Sequence, residues 1–145
     1  MVSASGYRHA ADMPTLRVLL IDDQPSILML VQVMLERTLP GVRVITATSA
    51  TDALYILQQE PCDVVLSDVT MPGEDGFFVL KQVKQQWPDL PVVLMSGSPL
   101  AHEAELAGAN GFLLKPFKLD QFHAALTAIT ALEREAIGFN LNYLA

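Results

Sequence analysis

The chain has 145 residues, 51% of them hydrophobic and 17% charged, with 16 acids against 9 bases for a formal charge of −7. That length fits one domain with a real core, and the composition is globular rather than disordered. No apolar stretch approaches the ~20 residues that span a bilayer. The acidic surface repels phosphate backbones and argues against nucleic-acid binding by this chain alone. The single cysteine, Cys62, excludes a disulfide framework and a cysteine-only zinc site, and reads as a small buried hydrophobe.

Residues 1–14 are polar and small, without hydrophobic period, and read as a flexible arm or a cloning remnant. They lack the apolar core of a secretory signal, so a cytoplasmic location is expected. From Leu16 short apolar runs alternate with amphipathic segments. Leu16–Ile21 reads as a buried strand that stops at Asp22 and Asp23. Pro25 suits a first helical turn, Ile27, Leu30, Val31, Met34 and Leu35 follow at helical spacing, and Pro40-Gly41 ends the helix.

Val42–Ala47 is the second strand. Ser49 and Asp52 resemble a capping box ahead of Ala53, Leu54, Ile56 and Leu57, and Pro61 ends that helix. Val64-Val65-Leu66 is the core of the third strand, which stops at Ser67-Asp68, and the turn-rich Met71–Gly76 follows. Phe77, Leu80, Val83 and Trp87 share a face of the third helix. Pro91–Met95 is the fourth strand, ending at Ser96-Gly97. Residues 98–108 form a weak, alanine-rich helix. Gly111–Leu114 is the fifth strand, ending at Lys115-Pro116, and Leu119, Phe122, Leu126, Ile129 and Leu132 mark the last helix. Met and aromatic positions on helices read as core by period. Residues 137–145 are mixed and read as a docked tail or a linker stub.

Five strands alternating with five helices predict an α/β fold with a doubly wound parallel sheet, because the strands are apolar on both faces. Ligands of such folds bind outside the carboxyl ends of the strands, where strand order reverses. Asp22, Asp23, Asp68, Ser96 and Lys115 all stand at strand ends on that edge. An aspartate after a strand is commonly only a turn former, and a lone lysine there is commonly solvated. Five such residues at four strand ends point to a site.

Three clustered carboxylates repel unless a cation neutralises them, and Lys115 supplies one charge only. A hard divalent ion such as magnesium completes the balance, and the oxygen-only set argues against zinc. A hydroxyl, an ammonium and a magnesium around a carboxylate form a phosphoryl-binding site. Asp68, on the central strand, is the expected nucleophile. The three histidines form no metal site: His9 lies in the arm, and His102 and His123 read as surface residues of separate helices.

These residues resemble the receiver domain of bacterial two-component response regulators. The likeness rests on Asp22-Asp23 after LRVLLI, Asp68 in DVVLSDVTMPGEDG, Ser96 in VVLMSG and Lys115-Pro116-Phe117 in GFLLKPF. It covers about residues 15–136. The resemblance implies a flavodoxin-like sheet of order 2-1-3-4-5, and phosphoryl transfer to Asp68 from a phosphohistidine on a sensor kinase or histidine phosphotransfer protein. It implies Mg2+ held by Asp23, Asp68 and the Thr70 carbonyl, with Asp22 acting through water. Ser96 and Lys115 would contact the phosphoryl group, and Ser96 and Phe112 would switch together. It further implies a cis Lys115-Pro116 peptide, output or homodimerisation through the fourth helix, fifth strand and fifth helix, and no catalysis beyond the domain's own phosphorylation and autodephosphorylation. Thr70 and Ser98 occupy positions that tune hydrolysis in the family.

Some residues depart from the family pattern. Glu74 occupies a commonly apolar loop position, and Gly97 stands where alanine is common. Phe112 lacks the hydroxyl of the common tyrosine. Only 18 residues separate Ser96 from Lys115, which predicts a short or displaced fourth helix. Three other readings compete. A haloacid-dehalogenase-type phosphatase needs an aspartate where Thr70 stands. A flavodoxin-like cofactor module needs a phosphate loop where Asp22-Asp23 stand. A receiver-like interaction module would work without phosphorylation. No effector domain is legible after residue 136, so the chain reads as a stand-alone receiver or a piece of a longer regulator or hybrid kinase.

Overall fold

A computed structural model of the chain describes residues 16–134. The expected arm over 1–14 and the expected tail over 137–145 lie outside the described residues. The element order is β1 (Leu16–Ile21), α1 (Pro25–Thr38), β2 (Val42–Ala47), α2 (Ala50–Gln59) and β3 (Val64–Asp68). Then follow α3 (Gly76–Gln86), β4 (Val92–Ser96), α4 (Ala101–Leu106), β5 (Gly111–Leu114) and α5 (Leu119–Arg134).

The strands form one parallel sheet in the order β2-β1-β3-β4-β5. Their side chains alternate between two cores. Val18, Leu20, Leu66, Val93 and Met95 pack beneath Leu28 and Leu35 of α1 and Phe122 and Leu126 of α5. Leu19, Ile21, Val65 and Leu94 pack beneath Ala53 and Leu57 of α2, Val79, Leu80 and Val83 of α3, and Ala104 of α4. The chain departs from β1 in opposite directions toward β2 and β3. That opens a crevice above the carboxyl ends of β1 and β3.

Local chemistry explains the boundaries. Pro25 opens α1, where a missing N–H costs nothing. Ser49 accepts a hydrogen bond from the Asp52 N–H and caps α2. Asp75 does the same for α3 through the Phe78 N–H. Gly41 turns the chain into β2 at φ 86°, a left-handed conformation that glycine adopts freely.

The third strand runs through Ser67 and ends at Asp68, as expected. Several expectations are corrected. Leu30 is 56% exposed rather than in the core. Helix α1 is apolar nearly all round, so its period leaves the buried phase open. Packing selects Leu28 and Leu35, two turns apart, as the core residues. Met29 on α1 and Tyr55 on α2 are likewise exposed, not core. The fourth helix is short, as its spacing predicts.

Candidate functional site

Strand ends β1 and β3 deliver the acidic residues. The Asp22 N–H still donates to the Ala47 carbonyl of β2, so the backbone is held in line with the sheet as its side chain turns into the crevice. Asp22 is 1% exposed. Its Oδ1 accepts from the Gln24 N–H at 3.0 Å and its Oδ2 lies 3.3 Å from Lys115 Nζ. Asp68 is the last residue of β3 and 6% exposed, and its Oδ1 also lies 3.3 Å from Lys115 Nζ.

Lys115 reaches this point because β5 ends one residue before it, and its N–H donates to the Ser96 carbonyl of β4 at 2.7 Å. The Lys115-Pro116 peptide is cis. Asp23 is half-buried and completes a cluster in which one ligand oxygen from each of Asp22, Asp23 and Asp68 lies within 4.8 Å of the others. Asp23, Asp68 and Lys115 open into a cleft of about 510 Å³, lined also by Thr70, Met71, Pro72 and Gly97.

The electrostatics are unbalanced. Burial pushes the Asp68 carboxyl above its ordinary range; Lys115 pulls it down, Asp22 pushes it further up, and a hydrogen bond from the Thr70 backbone lowers it. Three carboxylates facing one ammonium leave an excess of negative charge. An all-oxygen donor set of this spacing fits a hard divalent cation such as Mg2+, which accepts one or two carboxylates and keeps several waters. Asp22, Asp23, Asp68 and Thr70 fit that role by position and donor chemistry.

The remaining expected residues lie near but play different visible parts. Ser96 ends β4 beside Asp68 and is 2% exposed, and its Oγ accepts from the Ser98 N–H at 3.0 Å. Phe112 lies within β5, paired with Leu94, half-buried against the α2–α4 side of the sheet and away from the cleft lining. Glu74 is exposed on its loop and does not line the cleft. His102 is exposed, as expected, but His123 is half-buried with Nε2 3.0 Å from Thr38 Oγ1. Cys62 is half-buried against the core.

In the sequence Gly76 reads only as part of a turn. A Cβ added there would stand 2.5 Å from the Asp68 carbonyl oxygen and 2.8 Å from Val69 Cα. The Gly76 N–H donates to the Val69 carbonyl at 2.8 Å. The first turn of α3 therefore presses directly on the backbone that carries Asp68. The glycine itself was the available sign, but the contact depends on tertiary packing.

The response regulator receiver domain family matches residues 18–127. The chain is 39% identical over 109 residues to the DNA-binding transcriptional regulator NtrC of Escherichia coli K12, covering 72% of this chain and 22% of that protein. It thus spans about a fifth of the length of that relative. Its structure is similar to a response regulator receiver domain protein from Clostridium thermocellum, with TM-score 0.75, 29% identity, and 83% and 98% of the two chains covered. It is also similar to the chemotaxis response regulator CheY4 of Vibrio cholerae, with TM-score 0.72, 31% identity, and 79% and 98% covered. The chain belongs to the receiver domain family of two-component response regulators, which are signalling modules rather than enzymes of metabolism. Among the described residues no helix is long and apolar enough to cross a membrane.

Proposed function

We propose that this chain is a cytoplasmic phosphorelay receiver in which Asp68 accepts a phosphoryl group from a phosphohistidine on a sensor kinase or histidine phosphotransfer protein. The observation that carries this reading is Lys115 Nζ lying 3.3 Å from Asp68 Oδ1, inside the acidic triad at the crevice. Asp68 attacks phosphorus through a carboxylate oxygen. The new O–P bond forms as the N–P bond breaks, and the electron pair returns to the imidazole, which takes up a proton. Burial limits the hydration that the carboxylate must shed before attack.

Lys115 faces the carboxylate from the β5 side and neutralises charge on the transferred oxygens. Ser96 releases its bond to the Ser98 N–H and turns its hydroxyl to the phosphoryl group, with Phe112 following. This population shift changes the face formed by α4, β5 and α5, which serves output or homodimerisation. Asp22, Asp23, Asp68 and the Thr70 carbonyl would hold Mg2+, and the ion would supply charge neutralisation at the phosphoryl oxygens. Hydrolysis by the domain itself returns Asp68 to its free state.

A Phos-tag gel with a small phosphodonor and magnesium tests the reading. A retarded band is expected for the natural chain and none for Asp68→Asn. Lys115→Met is expected to slow band formation by about 10²-fold, the order seen when one preorganised donor is removed. A band that persists in Asp68→Asn overturns the assignment. No band in the natural chain, with partner binding intact, favours the interaction module that works without phosphorylation.

A further inference from the structure

Helix α1 turns bare apolar side chains to solvent: Met29 is 66%, Leu30 56% and Val33 42% exposed. A helix that is apolar nearly all round belongs under cover, and contiguous apolar surface of this kind marks a contact site. Ser26, Leu30, Val33 and Arg37 follow one another at helical spacing and form one stripe along the exposed side. Ile27 and Met34 beside it continue the apolar surface into a hollow of about 590 Å³ that reaches Phe117 and Phe122.

The two ends of the stripe carry opposite charge. Arg37 stands in the last turn of α1 and is exposed. The neighbouring Glu36 does not neutralise it, because its Oε2 accepts from the Val44 N–H of β2 at 2.8 Å. Asp23 lies at the other end, just before the helix. Neither Arg37 nor Asp23 makes an ion pair among the described residues. The contrast extends beyond the helix. Arg17 and Arg43, neighbours in the sheet, stand at the Arg37 end, and Asp22 and Asp68 at the Asp23 end.

That polarity selects a second copy as the occupant, in one orientation. Two α1 helices side by side in parallel set Arg37 against Arg37 and Asp23 against Asp23, which repels. Antiparallel, they join opposite charges at both ends. The stripe is symmetric about the point between Leu30 and Val33. A two-fold axis there lays Leu30 on Val33 of the partner subunit and Ser26 on Arg37 of the partner subunit. Asp23 is three residues further on, about 5 Å at the helical rise, within reach of the long arginine stem.

We propose that α1 pairs antiparallel with α1 of a second copy, with Leu30 and Val33 at the centre and an Arg37–Asp23 ion pair between copies at each end. Such an isologous contact closes on itself and gives a dimer, not a filament. The stripe from Ser26 to Arg37 is about 17 Å long. One helix seam of that length covers less than the roughly 800 Å² per partner of a stable complex, so a dissociation constant of about 0.1–1 mM is expected. Asp23 also lines the acidic cleft, so each copy brings a guanidinium to the rim of the other's cleft.

The test uses the full chain without phosphodonor or metal, so its result is independent of whether Asp68 accepts phosphate. Sedimentation velocity over a concentration series is expected to show a monomer–dimer equilibrium, weakened by salt and lost in Leu30→Ser. Arg37→Glu and Asp23→Lys, each alone, set like charges at both ends and are expected to weaken the dimer about tenfold. Mixed with each other, they are expected to associate as tightly as the natural chain, because each end again joins opposite charges. Circular dichroism melts check that every variant folds. A nitroxide on Gln24→Cys in a Cys62→Ala chain, mixed with a methyl-labelled copy, is expected to broaden Val33 and Leu39 of that copy more than Ile27. A chain still monomeric at about 1 mM overturns the proposal, whatever else covers α1. So does a dimer that survives Leu30→Ser. Broadening strongest at Ile27 marks a parallel pair, and broadening strongest at Leu106 and Leu114 marks the α4–β5 face; either overturns it. A charge-reversed mixture that fails to recover overturns the ion pairs at the ends.

Discussion

The Cβ position of Gly76 lies 2.5 Å from the carbonyl oxygen of Asp68, closer than two such atoms can stand. The first residue of α3 and the last residue of β3 are thus in backbone contact, across a loop whose Gly76 N–H is itself bonded to the Val69 carbonyl. Gly76→Ala must move either the helix or the strand end. Backbone cannot yield as a flexible side-chain tip does, so overpacking is expected to cost about 1–3 kcal/mol. The variant should unfold earlier in thermal denaturation, and its Mg2+ titration should weaken because the Asp68 carboxylate is displaced. A Gly76→Ala protein with unchanged midpoint and unchanged magnesium affinity would show that this contact has no such role.

Asp68 carries a raised pKa, chiefly through burial, with Lys115 opposing it and Asp22 adding to it. A carboxyl whose folded value lies above its unfolded value favours folding when protonated. That contribution is complete below the unfolded value, near 3.9, and is lost as pH rises through the folded one. At neutral pH the ionised group therefore strains the metal-free fold. Asp68→Asn, which resembles the protonated form, is expected to melt later than the natural chain in metal-free neutral buffer. Added magnesium should raise the natural chain more than the variant, because only the former keeps all the ligands. Circular dichroism melts with and without a chelator check both halves.

The strand ends were legible because the fully covered part of a buried parallel strand is apolar, the one charge in β1, Arg17, standing at its half-buried start. The apolar runs therefore stop where Asp22, Lys115 and their neighbours begin. The parallel topology puts Asp22, Asp23 and Asp68 on one edge, and the order of the strands came from the family resemblance. The orientation of α1 was not legible. Its apolar residues surround the helix, and only the shape of the sheet beneath chooses Leu28 over Leu30. Gly76 was equally opaque, since a glycine after Asp75 reads as turn chemistry until the neighbouring backbone is known. Glu74 departs from the family pattern without altering the cleft lining, because its side chain is directed to solvent.

Asn110 sits at the opposite edge of the sheet and joins three elements. Its Oδ1 accepts from Lys84 Nζ of α3 at 2.8 Å and from the Val92 N–H of β4 at 2.9 Å. Lys84 also donates to the Leu90 carbonyl at 3.2 Å. Burial lowers the Lys84 pKa, with Asp89 opposing, so its ammonium depends on these acceptors. Asn110→Ala removes the acceptor of the Val92 N–H and of one ammonium proton, and because Asn110 is exposed and water can take its place the cost is about 0.5–1.5 kcal/mol. A fall of a few degrees at most in the thermal midpoint is expected, with phosphoryl uptake at Asp68 retained, since the acidic cleft is at the other edge. Loss of uptake in a folded Asn110→Ala chain would couple the two edges.

Cys62 packs beside Leu57, Trp87 and Leu90 in a hollow near the start of β3. Burial, aided by Glu60 and Asp63 and opposed by Arg17, pushes its thiol up to about 11. Only the thiolate attacks alkylating reagents, so at pH 8 the reactive fraction falls to roughly a hundredth of that of a free cysteine. Iodoacetamide is expected to modify the native chain about a hundredfold more slowly than the chain in denaturant. The rate should still be rising between pH 9 and 10, where an ordinary thiol near 8.5 has levelled off. Mass spectrometry of timed quenches measures both. A native rate matching the denatured one, or a plateau by about pH 9, would mean that the thiol is neither shielded nor shifted.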